Sequence, residues 1–421
     1  MTRTLMVTMV ALLLGTAAAS AQDRPPRPPR PPGEGPRGRG GYSIEQAISD
    51  RAQLNTIAFD GLAFLTGDRC SCTFIPPGKV SDFFGFQYMR DIDSGEGGHN
   101  TSFLTKIANA TLAILTDSQK AKLVALAKAQ ERPIEEFAYE RFPLIDAFNR
   151  LLDGDVSAGA VLSPEAVMKY SADLYEQDGL LAWDRAKAVG AVIRSLDDGQ
   201  RAALARLKFG DSSTWPDLPD QVDKRSLSHR AHVGVMTYAS EIFSWYAGSI
   251  EADTYFCPER HGMYFGSFYM KDAPAMGQRN YSISTRLTGD SGEAFLAALT
   301  DAQRERITSI PAWQRPKMED IVRVRREIST ELRRFMTGDS ADRAKVVALS
   351  RRYGELDGEL SYTYATRFAE VARTLTADQK QRLVALRNLD GYACRGAYVY
   401  SEPVQWPQVK NTDFLFTTAP R

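Results

Sequence analysis

Histidine is nearly missing from this chain, with four residues (His99, His229, His232 and His261), and the signatures of the common catalytic centres are missing altogether. There is no P-loop, no Gly-x-Ser-x-Gly elbow, no His-Glu-x-x-His and no Cys-x-x-Cys-His, so no familiar hydrolase, phosphotransferase or haem chemistry is written in the sequence. Excess charge is absent too. The 52 basic residues balance the 52 acidic ones, which argues against a nucleic-acid partner. No internal stretch approaches the ~20 apolar residues that cross a bilayer, so no transmembrane segment is expected. Sustained alternation of apolar and polar residues, the mark of strands, is also lacking.

What is present begins with the form of an export signal. Arg3 gives a positive start, residues 5–14 an apolar run, and Ala19-Ser20-Ala21 small residues before a cut at Gln22. Residues 1–21 therefore read as a signal peptide and the destination as the periplasm. Residues 22–41 read as a Pro/Arg/Gly-rich linker, in which three Arg-Pro-Pro triplets favour polyproline II before a glycine-rich stretch. The rest, at 43% hydrophobic and 25% charged for the whole chain, has the composition of an ordinary globular protein.

Sliding the chain along itself by 181 residues aligns Phe83-Phe84-Gly85-Phe86-Gln87-Tyr88-Met89-Arg90-Asp91 with Tyr264-Phe265-Gly266-Ser267-Phe268-Tyr269-Met270-Lys271-Asp272. An offset of 179 aligns Glu176-Gln177-Asp178-Gly179 with Glu355-Leu356-Asp357-Gly358. Two tandem copies of one helical module are expected, at residues 42–217 and 227–421. Within them a shorter motif occurs four times: Leu115-Thr116-Asp117-Ser118-Gln119, Leu196-Asp197-Asp198-Gly199-Gln200, Leu299-Thr300-Asp301-Ala302-Gln303 and Leu375-Thr376-Ala377-Asp378-Gln379. Its chemistry is a capping box. A Thr or Asp accepts from the third helical amide, and the Gln reaches back to the cap amide. Apolar residues recur at helical spacing through Ile107, Ala108, Leu112 and Leu115 and through Ile321, Val324, Ile328, Leu332 and Phe335, while Gly154 and Gly338 read as helix stops. The fold class is all-α, with a short aromatic-rich loop or hairpin in each copy.

The Leu-Thr-x-x-Gln motif in an exported helical chain resembles the Spy/CpxP family of periplasmic proteins. The matching positions are Leu115, Thr116 and Gln119, Leu299, Thr300 and Gln303, and Leu375, Thr376 and Gln379, with Leu196, Asp197 and Gln200 as an Asp-capped variant. The resemblance implies a helical hairpin fold and ATP-independent chaperone, envelope-stress or metal-sensing roles. It covers the motif helices only. The length, the duplication and the aromatic insertions depart from the family.

Three functional readings follow. The first is a non-enzymatic, chaperone-like or envelope-stress binding protein with unfolded or envelope proteins as clients. Its binding surface is expected on the aromatic blocks, at Phe83, Phe84, Tyr88, Arg90, Tyr264, Phe265, Tyr269 and Lys271, with burial in the core as the plainer alternative. The second places copper or zinc on the loop 257–276, where Cys257, His261 and Met263 gather soft ligands; otherwise no cofactor is called for. The third is an enzyme with a site between the modules. Glu176, Asp178 and Gly179 read as a polar helix face or a kink, and His229 and His232 as surface residues.

Four cysteines, Cys70, Cys72, Cys257 and Cys394, form an even set in an exported chain, which favours disulfides. Non-reducing peptide mapping of exported protein is expected to join Cys257 or Cys394 to Cys70 or Cys72. Recovery of four free thiols would contradict this.

Overall fold

All four Leu-Thr/Asp-x-x-Gln stretches begin helices. The structure, a computed structural model, describes residues 48–66, 102–208, 214–247, 292–387, 398–399, 402–403, 407–409 and 411–418. In the first half these form α1 (Asp50–Thr66), α2 (Ser102–Ile114), α3 (Asp117–Glu140), α4 (Phe142–Asp153), a strand β1 (Ala160–Leu162), α5 (Pro164–Arg194) and α6 (Asp198–Arg206). The second half gives α7 (His229–Ala247), a helical turn at 292–297, α8 (Asp301–Thr308), α9 (Ile310–Thr337), α10 (Arg343–Ala372) and α11 (Ala377–Arg387). A small antiparallel pair, β2 (Tyr398–Val399) with β3 (Glu402–Pro403), follows, and then β4 (Phe416–Thr418), which pairs antiparallel with β1 through Val161 and Thr417. The described chain is thus mostly helical.

The capping boxes close as the sequence requires. Thr116, Asp197 and Thr300 each accept from the amide of the Gln three residues on, whose side chain accepts from the cap amide. Thr376 and Gln379 make the same two bonds, at 3.2 and 3.0 Å. The glutamines do more than cap. Gln200 Nε2 donates to Gln119 Oε1 at 2.7 Å, and Gln119 Nε2 donates to Gln200 Oε1 at 3.2 Å and to the Ser195 carbonyl at 3.1 Å. In the other half Gln379 Nε2 donates to Gln303 Oε1 at 2.8 Å and Gln303 Nε2 to the Thr374 carbonyl at 3.0 Å. Each buried amide pair ties two helix starts together, which explains Gln at this position: a Glu could complete the cap but has no N–H to donate.

Several positions aligned by the sequence repeat behave alike in the two halves. Gly154 and Gly338 both end a helix in the left-handed conformation, at φ 74° and 90°. The following Asp155 and Asp339 amides both donate to an arginine carbonyl, Arg150 or Arg334. Gln130 and Gln314 are both buried and accept from a tyrosine hydroxyl, Tyr238 at 2.7 Å and Tyr364 at 2.6 Å. Arg141 and Arg325 are both almost wholly buried.

At the centre α5 and α10 run antiparallel in close contact. A Cβ added to Gly179 would lie 2.4 Å from Ser350 Oγ, one on Gly358 2.8 Å from Ser171 Cβ, and one on Gly354 2.6 Å from the Ser171 carbonyl. Asp178 and Gly179 are therefore not a polar face. Both are fully buried at this crossing, as are Asp357 and Gly358, while Glu176 pairs with Arg351 at 2.5 Å. Around that axis the first helix of each half packs on the other half. Helix α1 lies against α8, α9, α10 and α11, with Gln314 Nε2 donating to Gln53 Oε1 at 2.9 Å and Phe64 stacked 6.1 Å from Phe368. Helix α7 lies against α2, α3, α5 and α6, where Glu241 meets the buried Arg185 at 2.6 Å. At the equivalent positions in the other half stand Asp60 and Tyr364, and the phenol is held well above its usual pKa by burial and by the Asp60 charge.

The amide pairs generate a pH-dependent prediction. Gln119→Ala removes the reciprocal bond and leaves the Gln200 amide short of a partner, a loss of about 1–3 kcal/mol. Gln119→Glu keeps the capping acceptor but puts a carboxylate where a donor is needed. Burial raises its folded pKa above the ~4.3 of the unfolded chain. Its penalty should therefore be small near pH 4, grow as the pH rises through the folded pKa, and level off above it. Urea melts of wild type and both variants across pH check this, with the Ala variant showing a nearly constant deficit.

Candidate functional site

A groove of about 660 Å³ opens at one end of the bundle, between two walls of different character. The apolar wall comes from the end of α4 (Leu151), the connector and β1 (Val156, Val161, Leu162), the start of α5 (Met168) and the start of α9 (Trp313). Across from it one face of α10 supplies Glu359, Tyr362, Thr366, Arg367 and Glu370. Trp313 and Val161 keep 38% and 42% of their surface exposed.

Local sequence explains each wall. Gly154 stops α4, and the connector then makes a short extended segment whose Ser163 amide donates to the Leu415 carbonyl at 2.9 Å. Ser163 caps α5, with Pro164 at the first helical position, where its missing N–H costs nothing. The C-terminal segment that pairs with β1 is clamped by α4: Arg150 donates to Thr412 Oγ1 and to Asp413 at 2.8 Å each and lies over the Phe416 ring at 5.1 Å. Asp413 is held below the usual carboxylate range by Arg150 and Asn411.

The duplication supplies an internal comparison. From the capping boxes to the glycine stops the two halves align at an offset of 184 residues, and from the α5 and α10 caps onward at 179, so the α4–α5 connector is five residues longer than the α9–α10 connector. Those extra residues build β1 and one wall of the groove. Tyr362 and Leu151 correspond to Trp183 and Phe335, and there the space is filled: the two rings pack edge-to-face with centroids 4.8 Å apart. A Cβ on the adjacent Gly190 would lie 2.6 Å from the Phe335 carbonyl oxygen, which also accepts from Arg194. Arg373, the counterpart of Arg194, lines the open groove instead. Trp313, Arg367 and Glu370 stand where the other half has Ala129, Ala188 and Ala191. The longer connector, the smaller Leu151 and these larger polar and aromatic side chains together make the groove.

Several of its polar groups are paired. Glu370 is paired with Arg306 at 2.5 Å and Arg367 at 3.4 Å, and Glu359 with Lys317 at 3.2 Å. The Thr363 and Thr366 hydroxyls donate to carbonyls of their own helix at 2.9 Å each. Burial, then the Glu165 and Glu370 charges, raises the pKa of Tyr362, with Arg367 opposing, so its phenol is a neutral donor at physiological pH. No free base faces a nucleophile here.

Phe83, Phe84, Tyr88, Arg90, Tyr264, Phe265, Tyr269 and Lys271 fall outside the described residues, as do Cys257, His261 and Met263 and the cysteines Cys70, Cys72 and Cys394. His229 is exposed and His232 half-buried, its pKa lowered by burial and by Lys224. Among the described residues no three His, Cys, Asp or Glu side chains converge as a metal site would, and no helix is long and apolar enough to cross a membrane. The groove residues carry no motif. The one signal for them in the sequence is the change of repeat offset from 184 to 179 between the glycine stop and the next helix cap. Compared with known protein families, curated proteins and solved structures, the chain matches none.

Proposed function

We propose that this chain is an exported, non-enzymatic binding protein of the chaperone-like or envelope-stress type, and that the groove between β1, α9 and α10 holds extended, largely apolar polypeptide. One observation carries the reading. Of two equivalent places in a duplicated bundle, one is plugged by Phe335 and the other is open, apolar on one wall and charged on the other. A volume of about 660 Å³ falls within the range of sites that enclose a small ligand or a few side chains. An exposed apolar floor with a charged rim is the usual composition of a surface that takes up another chain. The pairing of Glu359 with Lys317 and of Glu370 with Arg306 and Arg367 favours binding over catalysis. The Leu-Thr-x-x-Gln motif and the signal-like start support the same class and a periplasmic location.

The test copies the closed half into the open one. Leu151→Phe places a ring where Phe335 sits in the equivalent position, so it should fill the groove without disturbing the bundle. Wild-type protein is expected to suppress aggregation of reduced insulin without nucleotide. Leu151→Phe and Trp313→Ala should protect several-fold less, with melting temperatures within a few degrees of wild type, because a ΔΔG of 1 kcal/mol moves Tm by only ~2–4 °C in a chain this large. Undiminished protection by a folded Leu151→Phe variant would remove the groove from the function.

A further inference from the structure

The groove also bears on which polypeptide segments it accepts, an inference that rests on the reading above. At its rim the Lys317 ammonium lies 4.5 Å from the centre of the Trp313 ring and 3.2 Å from Glu359 Oε1. Aromatic face and carboxylate come from different helices, α9 and α10, and the cation sits between them. This is the arrangement by which proteins recognise an alkylammonium group, the ring supplying its quadrupole and the carboxylate the opposite charge. The lysine side chain keeps only 22% of its surface exposed and the Glu359 side chain 31%, so the interaction is partly desolvated.

The arrangement belongs to the open half alone. The positions equivalent to Trp313, Lys317 and Glu359 are Ala129, Pro133 and Leu180, none of which binds a cation. Arg306 and Arg367 both lean on Glu370, while Glu359 is paired with Lys317. Lys317 does not line the groove, whereas Trp313 and Glu359 do. A cation arriving along the groove therefore comes within reach of the same ring and the same carboxylate that hold Lys317.

We infer that Trp313 and Glu359 form a subsite for a lysine side chain of the bound polypeptide, and that Lys317 occupies it from within the chain until such a residue displaces it. The groove then selects apolar segments that carry a lysine, with the aliphatic stem along the β1 wall and the ammonium at the rim. No bond is made or broken, and Lys317, released, is solvated as an ordinary surface lysine.

The inference is tested with a labelled, unstructured nonapeptide of leucine and serine with a central lysine, and its twin with norleucine at that position, titrated by fluorescence anisotropy. Wild type is expected to bind the lysine peptide about tenfold more tightly, the equivalent of ~1.4 kcal/mol, with the preference shrinking as salt is raised. Glu359→Gln should abolish the preference, weakening the lysine peptide about tenfold more than the norleucine peptide. Lys317→Met, which keeps the length but not the charge, should strengthen lysine-peptide binding several-fold, whereas a merely structural Lys317 would leave it unchanged or weaken it. Circular dichroism on each variant confirms that the fold is retained. Equal affinity for the two peptides overturns the lysine subsite and leaves the groove standing as an apolar site. Failure of either peptide to bind folded wild type overturns the groove itself.

Discussion

Where α5 crosses α10, the side chains that ordinarily hold two helices apart are missing. Gly179, Gly354 and Gly358 face Ser350, Ser171 and Ala172, and any added methyl would meet an atom at 2.4–2.8 Å. Small residues let the backbones approach, and Gly179 against Ser350 repeats Gly358 against Ser171, with Gly354 packed between them on Tyr175 and Ala172. Close packing of this kind tolerates little change in volume. It also sets the surroundings of Asp178 and Asp357, which are fully buried next to the crossing. Tyr175 donates to Asp357 at 3.0 Å and packs edge-to-face on Tyr353 at 4.7 Å, so the aromatic and the acid are fixed together. Every outer helix is positioned against this pair or against a helix that touches it.

The exchange of first helices follows from the same crossing. With α5 and α10 in contact, the apolar stripe of α1 finds its complement on α9 and α10, and that of α7 on α2 and α3. Ile57, Leu62 and Phe64 are wholly buried there, each worth ~1.5–3 kcal/mol of transfer free energy, so neither half completes its core with its own segments alone. Polar detail enforces the choice. The Gln130–Tyr238 and Gln314–Gln53 bonds both cross between halves and satisfy the buried Gln130 Oε1 and Gln314 Nε2 atoms.

Helix starts and stops were legible in the sequence because they depend on local chemistry. The capping boxes at Thr116, Asp197, Thr300 and Thr376 and the glycine stops at Gly154 and Gly338 involve residues at most five positions apart. The heptad-like spacing of Ile321, Val324, Ile328 and Leu332 likewise marks the face that is buried. What could not be read was which helix meets which. Asp178-Gly179 looked polar because its burial depends on Ser350, more than 170 residues away, and the amide pairing of Gln119 with Gln200 needs both helix starts placed side by side. The groove was illegible for another reason. Leu151, Trp313 and Tyr362 are unremarkable singly, and only their difference from Phe335, Ala129 and Trp183, seen in register, sets them apart.

That difference bears on how a duplicated bundle acquires a site without losing its fold. Opening the groove forgoes the edge-to-face contact that Phe335 makes with Trp183, worth ~0.5–1.5 kcal/mol beyond the area it buries, and leaves Trp313 partly in water. The longer connector provides a counterweight of similar size. Through it β1 pairs with β4, and Arg150 gains two hydrogen bonds and a ring contact on the C-terminal segment, whereas its counterpart Arg334 bonds only within its own stretch, to the Ser340 carbonyl and Glu331. Thr412 and Leu415 are buried by that contact. The groove is therefore walled by secondary structure on every side named, with α10 held at its centre by the glycine crossing and β1 held by the clamp. If the groove binds polypeptide as proposed, walls of this kind leave the ordering cost to the incoming chain. In such a frame the lysine at the rim is the element with freedom to move, because its ammonium sits on four methylenes and is held by one ion pair and one ring contact.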